Sequence, residues 1–256
     1  MIVLSIRAVS GERRANGEDT AGRFACDTSA RQRRSKVFLA PLALSFEIAT
    51  VATALAAVIG IGVASLLANV RFVGRDLLDV AVTAPMVLPP TVLGYYLLVA
   101  CGRRSPIGQA FEAIFGSPIV FTRTGAVLAA TVGALPLVVR SSRAALEAVD
   151  PTLTRAARTL GATPMRAFFA VQLPLAGRGV VAALMLAFAR SLGDFGVTLM
   201  IAGDIPGETR TASLAIFDAI QERRDDAALA MVAALTMIAL GVLYAVGKLV
   251  RGPHER

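Results

Sequence analysis

Two ionisable side chains, Arg190 and Asp194, interrupt the otherwise apolar run VVAALMLAFARSLGDFGVTLMIAG. They stand four residues apart, so on a helix they share a face and can pair. Ionisable groups inside an apolar segment are costly and turn toward a bundle interior or a cavity. Two readings are open: a self-neutralising pair that fixes helix packing, or the wall or gate of a pathway. Gly193 and Gly196 flank Asp194 and permit a local break or a close helix contact there. A second weak point is APMVLPPTVLGYY, where Pro85, Pro89 and Pro90 remove backbone donors. That is tolerated in a membrane where the freed carbonyls face protein or water, so the segment is either a kinked packing helix or part of a pathway lining.

The residues that would support catalysis are missing. The chain has no GxxxxGK[ST] phosphate loop, and its lysines are Lys36 and Lys248, near the two ends. The single histidine, His254, excludes a histidine metal cluster. Cys26 and Cys101 form neither a metal motif nor a disulfide framework. The apolar runs offer one aspartate, Asp194, where an intramembrane hydrolase would need a pair. The sequence therefore predicts a non-catalytic chain that holds no cofactor or metal of its own.

Composition gives the setting. Of 256 residues, 55% are hydrophobic and only 17% charged, with a mean hydropathy of +0.66. Soluble domains carry about 25% charged residues, so this is an all-α polytopic membrane protein seated in a lipid bilayer. The net charge of +8 is spread through loops rather than gathered into a stripe with aromatics, which argues against nucleic acid. Five membrane-spanning helices are predicted, over about 42–69, 77–101, 124–139, 179–203 and 227–247. The third has 16 uncharged residues between Arg123 and Arg140, so its flanking arginines are expected to snorkel or the bilayer to thin. Short amphipathic helices are expected around Ile107–Phe115 and Thr211–Gln221.

Residues 1–41 differ from the rest, with eight basic and four acidic residues and no long apolar run, and are expected to be a disordered tail. With five spans and the 140–178 segment inside, the inner segments hold eleven basic residues and the outer loops six, which places residues 251–256 in the cytoplasm. The basic tail conflicts with an outside N-terminus. Natural translation starting near Val37 would resolve the conflict.

Between the third and fourth spans lies RAARTLGATPMRAFFAVQLP, Arg155 to Pro174, a basic interruption. Thr154, Arg155, Arg158, Thr159 and Arg166 give it a wet face, and Leu153, Ala156, Ala157, Leu160, Phe168, Phe169 and Val171 an apolar one. Gly161 can end one helix at positive φ, and Pro164 suits the first turn of the next. The stretch reads as helix, tight turn, helix, outside the bilayer and available for docking.

This stretch resembles the EAA loop of bacterial ABC importer permeases, with Ala156, Ala157, Gly161, Val171, Leu173 and Pro174 matching the pattern and Arg155 replacing the usual Glu. From about residue 42 to 250 the chain is similar to the molybdate permease family, through LPPTVLGYYLLVACGRRSPIG, FARSLGDFGVTLMIAGDIPGETRT, SLAIFDAIQ and above all GDIPGETRT. The resemblance implies a type I ABC importer permease fold. It implies a homodimer with two ATPase subunits that bind ATP, and a periplasmic or lipid-anchored molybdate-binding protein. It places Arg155, Ala156, Ala157, Arg158, Leu160, Gly161, Ala162, Arg166, Phe168, Leu173 and Pro174 in the ATPase-coupling loop, with a short helix around Arg158–Phe168 in the ATPase cleft. The translocation path or gate would comprise Pro89, Pro90, Arg190, Gly193, Asp194 and Gly196. A sulfate or thiosulfate permease of the same architecture is the nearest alternative; a passive channel or membrane scaffold is more distant.

Overall fold

A computed structural model describes residues 39–250. The expectations for residues 1–38 and 251–256, and Cys26 with them, lie outside the described residues; the end of the expected tail, residues 39–41, is not disordered but forms the first turn of the first helix. The chain divides into two units, Met1–Pro41 and Leu42–Arg256, and the membrane-spanning bundle is built in the second.

The helices are α1 Leu39–Asn69, α2 Arg75–Val87, α3 Pro90–Cys101, α4 Pro106–Phe115, α5 Arg123–Glu147, α6 Pro151–Thr159, α7 Pro164–Ala167, α8 Leu173–Leu192, α9 Gly196–Ala202, α10 Ala212–Gln221 and α11 Asp225–Val250. No strand occurs among the described residues. Helices α1, α5, the α7–α8 unit and α11 are each long and apolar enough to cross a membrane. The α2–α3 pair meets the same test when taken together, bent by 116°.

Contacts at the helix ends assign that bent pair to a broken span. Arg75, the first residue of α2, lies 3.9 Å from Glu147, the last residue of α5, and Asp79 pairs with Arg143 at 3.4 Å. At the other end, Cys101 closes α3 in a cluster with Ile119 and Val120, just before α5 starts, and with Leu44 and Ile48 of α1. The pair thus runs from the side of the 150–163 loop to the opposite side, giving five crossings.

Helix α5 is the hub. Its buried face is mostly small, with Ala126, Ala129, Ala130 and Ala134 fully or nearly fully covered, so neighbouring backbones come close. A Cβ added at Gly179 would sit 2.6 Å from Ala145, and one at Gly60 would sit 2.7 Å from Val138. The buried stripe of α1, Leu44, Ile48, Ala52, Ala56, Ala64 and Leu67, keeps the spacing of one helical face.

Three span predictions change. The second span is not one helix, because Pro89 and Pro90 stop α2 and start α3 with extended backbone between them. The third is not short: α5 has 25 residues, about 37 Å, and continues past Arg140 through Arg143. A charge ends an apolar run without ending a helix. Arg123, the first residue of α5, donates to the carbonyls of Glu208 and Gly207, both at 3.2 Å. The helix that carries the fourth span begins at Pro164, well before Gly179, passes through a π-helical turn at Phe168–Gln172, and stops at Leu192 before resuming as α9.

Candidate coupling loop and helix breaks

The docking stretch starts at Asp150, whose carboxylate accepts from the Thr152 N–H at 2.8 Å and caps α6 ahead of Pro151. That N–H, with Arg155 nearby, holds the Asp150 carboxyl below its ordinary value. At the far end the Gly161 N–H reaches the Arg158 carbonyl at 3.0 Å and the Ala162 N–H reaches that of Ala157 at 3.1 Å. This crossed pair is the Schellman motif, and Gly161 supplies its left-handed residue at φ 87°. Ala157, Gly161 and Ala162 therefore all have structural work in one turn. Thr163 then caps α7, accepting from the Arg166 N–H at 3.3 Å, and Pro164 is its first residue.

The short helix of the loop is Pro151–Thr159, not Arg158–Phe168; the latter segment contains the turn itself. The piece after the turn is no independent helix either. It runs on through Phe168 into the span, so Arg166 and Phe168 belong to a unit of 29 residues from Pro164 to Leu192. Gln172 in the π turn is buried and donates from Nε2 to the Leu146 carbonyl at 3.2 Å, tying this unit to the end of α5. Apolar tips face outward: Leu160 is 89% exposed, Met165 67% and Leu153 47%. Arg155, Ala156, Arg158 and Arg166 are exposed beside them, while Leu173 packs inward and Pro174 is exposed on the first turn of α8.

The second constellation brings two breaks together. Gly193–Phe195 separates α8 from α9, and Leu88–Pro89 separates α2 from α3. Arg190 and Asp194 are thus not in one continuous helix: Arg190 lies in the last turn of α8 and Asp194 in the break. Their pair measures 3.4 Å between Nη1 and Oδ1. The other oxygen of Asp194 accepts from the Thr198 hydroxyl at 2.6 Å and the Thr198 N–H at 3.1 Å. A cavity of about 510 Å³ lies here, lined by Pro90, Thr91, Arg190, Gly193, Asp194 and Gly196 among others; Pro89 is exposed and is not part of the lining. The two breaks touch. A Cβ on Gly196 would lie 2.9 Å from Pro90, and one on Gly94 would lie 2.6 Å from Met200.

The GDIPGETRT segment is a self-bonded loop on the side opposite the coupling loop. The Ile205 carbonyl accepts from the N–H groups of Glu208, Thr209 and Arg210. Buried Thr209 accepts from the Ile205 N–H at 3.0 Å and donates to Gly203 at 3.3 Å. Arg210 forks onto Asp204 at 2.7 and 3.1 Å and reaches Asp218 at 2.7 Å. Burial, with Asp204 alongside, raises the Asp218 carboxyl above its ordinary value. Ser213, next to this loop, donates to the Asp194 backbone carbonyl at 2.7 Å, so the loop and the break are mechanically joined.

Sequence reasoning overlooked Gln172, Thr198 and Ser213. The available signal was a polar side chain within or beside an apolar run, which needs a partner when buried.

Known proteins resolve the family. Residues 37–251 match the model of "Binding-protein-dependent transport system inner membrane component". The chain belongs to this family. It is accordingly a multi-pass inner-membrane component of a transporter. It is 48% identical over 178 residues to the molybdenum transport system permease protein ModB of Escherichia coli K12, covering 70% of this chain and 78% of that one. It is 37% identical over 207 residues to the putative molybdenum transport system permease protein YvgM of Bacillus subtilis, covering 81% and 91%. The sulfate transport system permease protein CysT of Salmonella typhimurium is 36% identical over 201 residues, covering 78% and 72%. Among solved structures, an inward-facing MetNI methionine ABC transporter aligns with TM-score 0.63 at 19% identity, covering 84% of this chain and 95% of that one. A bacterial ABC transporter involved in the import of alginate aligns with TM-score 0.67 at 16% identity, covering 89% and 84%. These two likenesses establish the type I importer permease fold.

Proposed function

We propose that this chain is the transmembrane permease subunit of an ATP-driven importer that carries molybdate, and with it tungstate, from a periplasmic or lipid-anchored binding protein into the cytoplasm. The observation that carries this reading is the high identity to a molybdenum permease, which exceeds that to the sulfate permease. The described site adds what such a subunit requires: a projecting apolar loop on one side, a helical unit leading into the membrane, and a break beside a cavity.

The working unit in this proposal is two copies of the chain with two ATPase subunits that bind and hydrolyse ATP. The chain itself is non-catalytic, in keeping with the missing phosphate loop. The exposed tips Leu153, Leu160 and Met165, with Arg155, Arg158 and Arg166 around them, enter a cleft on each ATPase. Pairing of the ATPases on ATP brings the loops together. Because α7 and α8 form one unit from Pro164 to Leu192, about 43 Å long, displacement at the loop is delivered to the Gly193 break. The loop side is then cytoplasmic, as is the C-terminus, and the GDIPGETRT side meets the binding protein. Selectivity lies mainly with that protein, since the path holds a dianion only weakly.

The match to CysT favours a second reading, a sulfate or thiosulfate permease of the same architecture. Binding-protein-stimulated ATP hydrolysis by the assembled complex separates the two. Stimulation by the molybdate-loaded binding protein, and none by a sulfate-binding protein loaded with sulfate, is the expected result. The reverse pattern would move the chain to the sulfate branch.

A further inference from the structure

The cavity between the two helix breaks has an uneven charge balance. Asp194 is satisfied without Arg190: the Thr198 hydroxyl and N–H both donate to its Oδ2, and its side chain is only 4% exposed. Arg190 is the opposite case. Its side chain is 45% exposed, and it contacts Asp194 through a single nitrogen at 3.4 Å, without the bidentate fork that guanidinium and carboxylate geometry favours. Among the described residues its other N–H groups have no partner, and its side chain lines the cavity. On the facing wall, α3 opens with Pro89 at the cap and Pro90 first, and no side chain caps it. The Leu93 N–H is taken by the Pro89 carbonyl, which leaves the N–H groups of Val92 and of Thr91, the latter on the cavity lining, without helical partners. A half-exposed cation and open helical N–H groups converge on one space.

We infer that Arg190 is a transfer site for a tetrahedral oxyanion carrying two negative charges, which borrows the guanidinium from Asp194 during passage. The inference rests on the transport reading above and names what the cavity takes. When the dianion arrives, Arg190 swings from Asp194 Oδ1 to two oxygens of the anion, and Asp194 stays in place on Thr198. The fixed carboxylate then competes for the same guanidinium and repels the anion, so the pair re-forms as the anion leaves. A site built this way selects charge and shape while holding the ligand briefly, which conduction requires. Arg190 can fork onto the anion, where lysine would offer a point charge.

The test uses the complete complex of permease, ATPase and binding protein in proteoliposomes, with initial uptake of labelled molybdate as the readout and co-purification of the ATPase as the check on assembly. R190Q is expected to lower uptake at least tenfold, R190K to retain more than R190Q, and R190Q/D194N to stay as low as R190Q. The double variant is decisive because it leaves no unpaired buried charge. If R190Q/D194N returned to within twofold of the unaltered complex, Arg190 would serve only to neutralise Asp194 and the inference would fall. If the unaltered complex carried sulfate and not molybdate, the substrate assignment would fail instead, and the same variants read with sulfate would still decide the role of Arg190.

Discussion

Gly161 offers a perturbation in which backbone strain can be isolated from packing. It sits at φ 87°, and a Cβ added there would meet nothing within 4 Å. Substitution at this position therefore costs conformational energy alone. A non-glycine residue in the left-handed region costs about 1–2 kcal/mol, less for asparagine and more for a β-branched residue. That range weakens the turn by a factor of about 5–30, since about 1.4 kcal/mol is tenfold. The turn sets the angle between α6, which carries Leu153 and the approach to Leu160, and the unit leading to Arg190. The expected order of coupled transport is glycine, then asparagine, then alanine, then valine, with membrane insertion unchanged because the site is exposed. The assay is molybdate transported per ATP hydrolysed in proteoliposomes, with insertion checked by the yield of the purified complex. Gly161→Val matching Gly161→Asn in that ratio would refute the lever argument, because it would show that the loop angle does not matter to coupling.

Three further outcomes are expected from the same geometry. Gln172→Leu removes the bond to the Leu146 carbonyl, which keeps the Val149 N–H at 3.3 Å, so the loss should be about 0.5–1.5 kcal/mol, read as a lower thermal midpoint of the purified complex. Gly94→Ala should be more damaging than its size suggests, about 1–3 kcal/mol by the same assay, because its Cβ would fall 2.6 Å from Met200 Cβ and 3.3 Å from Val197 Cα. The Asp150 cap should fade with acid: a carboxyl held below its ordinary value stabilises α6 above that value, and the contribution is lost as pH falls through the lowered one. A fall in the protection of the α6 amides, measured against their intrinsic exchange rate at each pH, would report it if D150N showed no such fall; identical protection profiles for the two proteins would rule it out.

What the sequence disclosed divides by physical type. Periodicity and run length placed the apolar helices, and glycine and proline in RTLGATP marked the turn after α6, because φ preference is local to the residue. Helix limits were less legible. The apolar run of α5 closes at Val139, before Arg140, yet intrahelical hydrogen bonds continue to Glu147 regardless of polarity. The apolar run of the fourth span likewise starts well after the α7–α8 unit does. The breaks were partly visible: Pro89–Pro90 and Gly193 flagged weak points, but only the fold showed them facing one another across one cavity. Thr198 and Ser213 escaped notice because a hydroxyl gains meaning from the acceptor opposite it, and Ser213 reaches Asp194 from 19 residues away. The segment GDIPGETRT pointed to a family through resemblance, while its physical role, a loop closed on Ile205, Thr209 and Arg210, became apparent only from its hydrogen bonds.

The most direct test of the central claim is ATP-driven uptake of labelled molybdate into proteoliposomes holding this chain, its ATPase and its binding protein, with tungstate and sulfate as competitors. The account expects uptake that depends on ATP and on the binding protein, inhibited by tungstate and untouched by excess sulfate. Inhibition by sulfate, or uptake that proceeds without the ATPase, would contradict it.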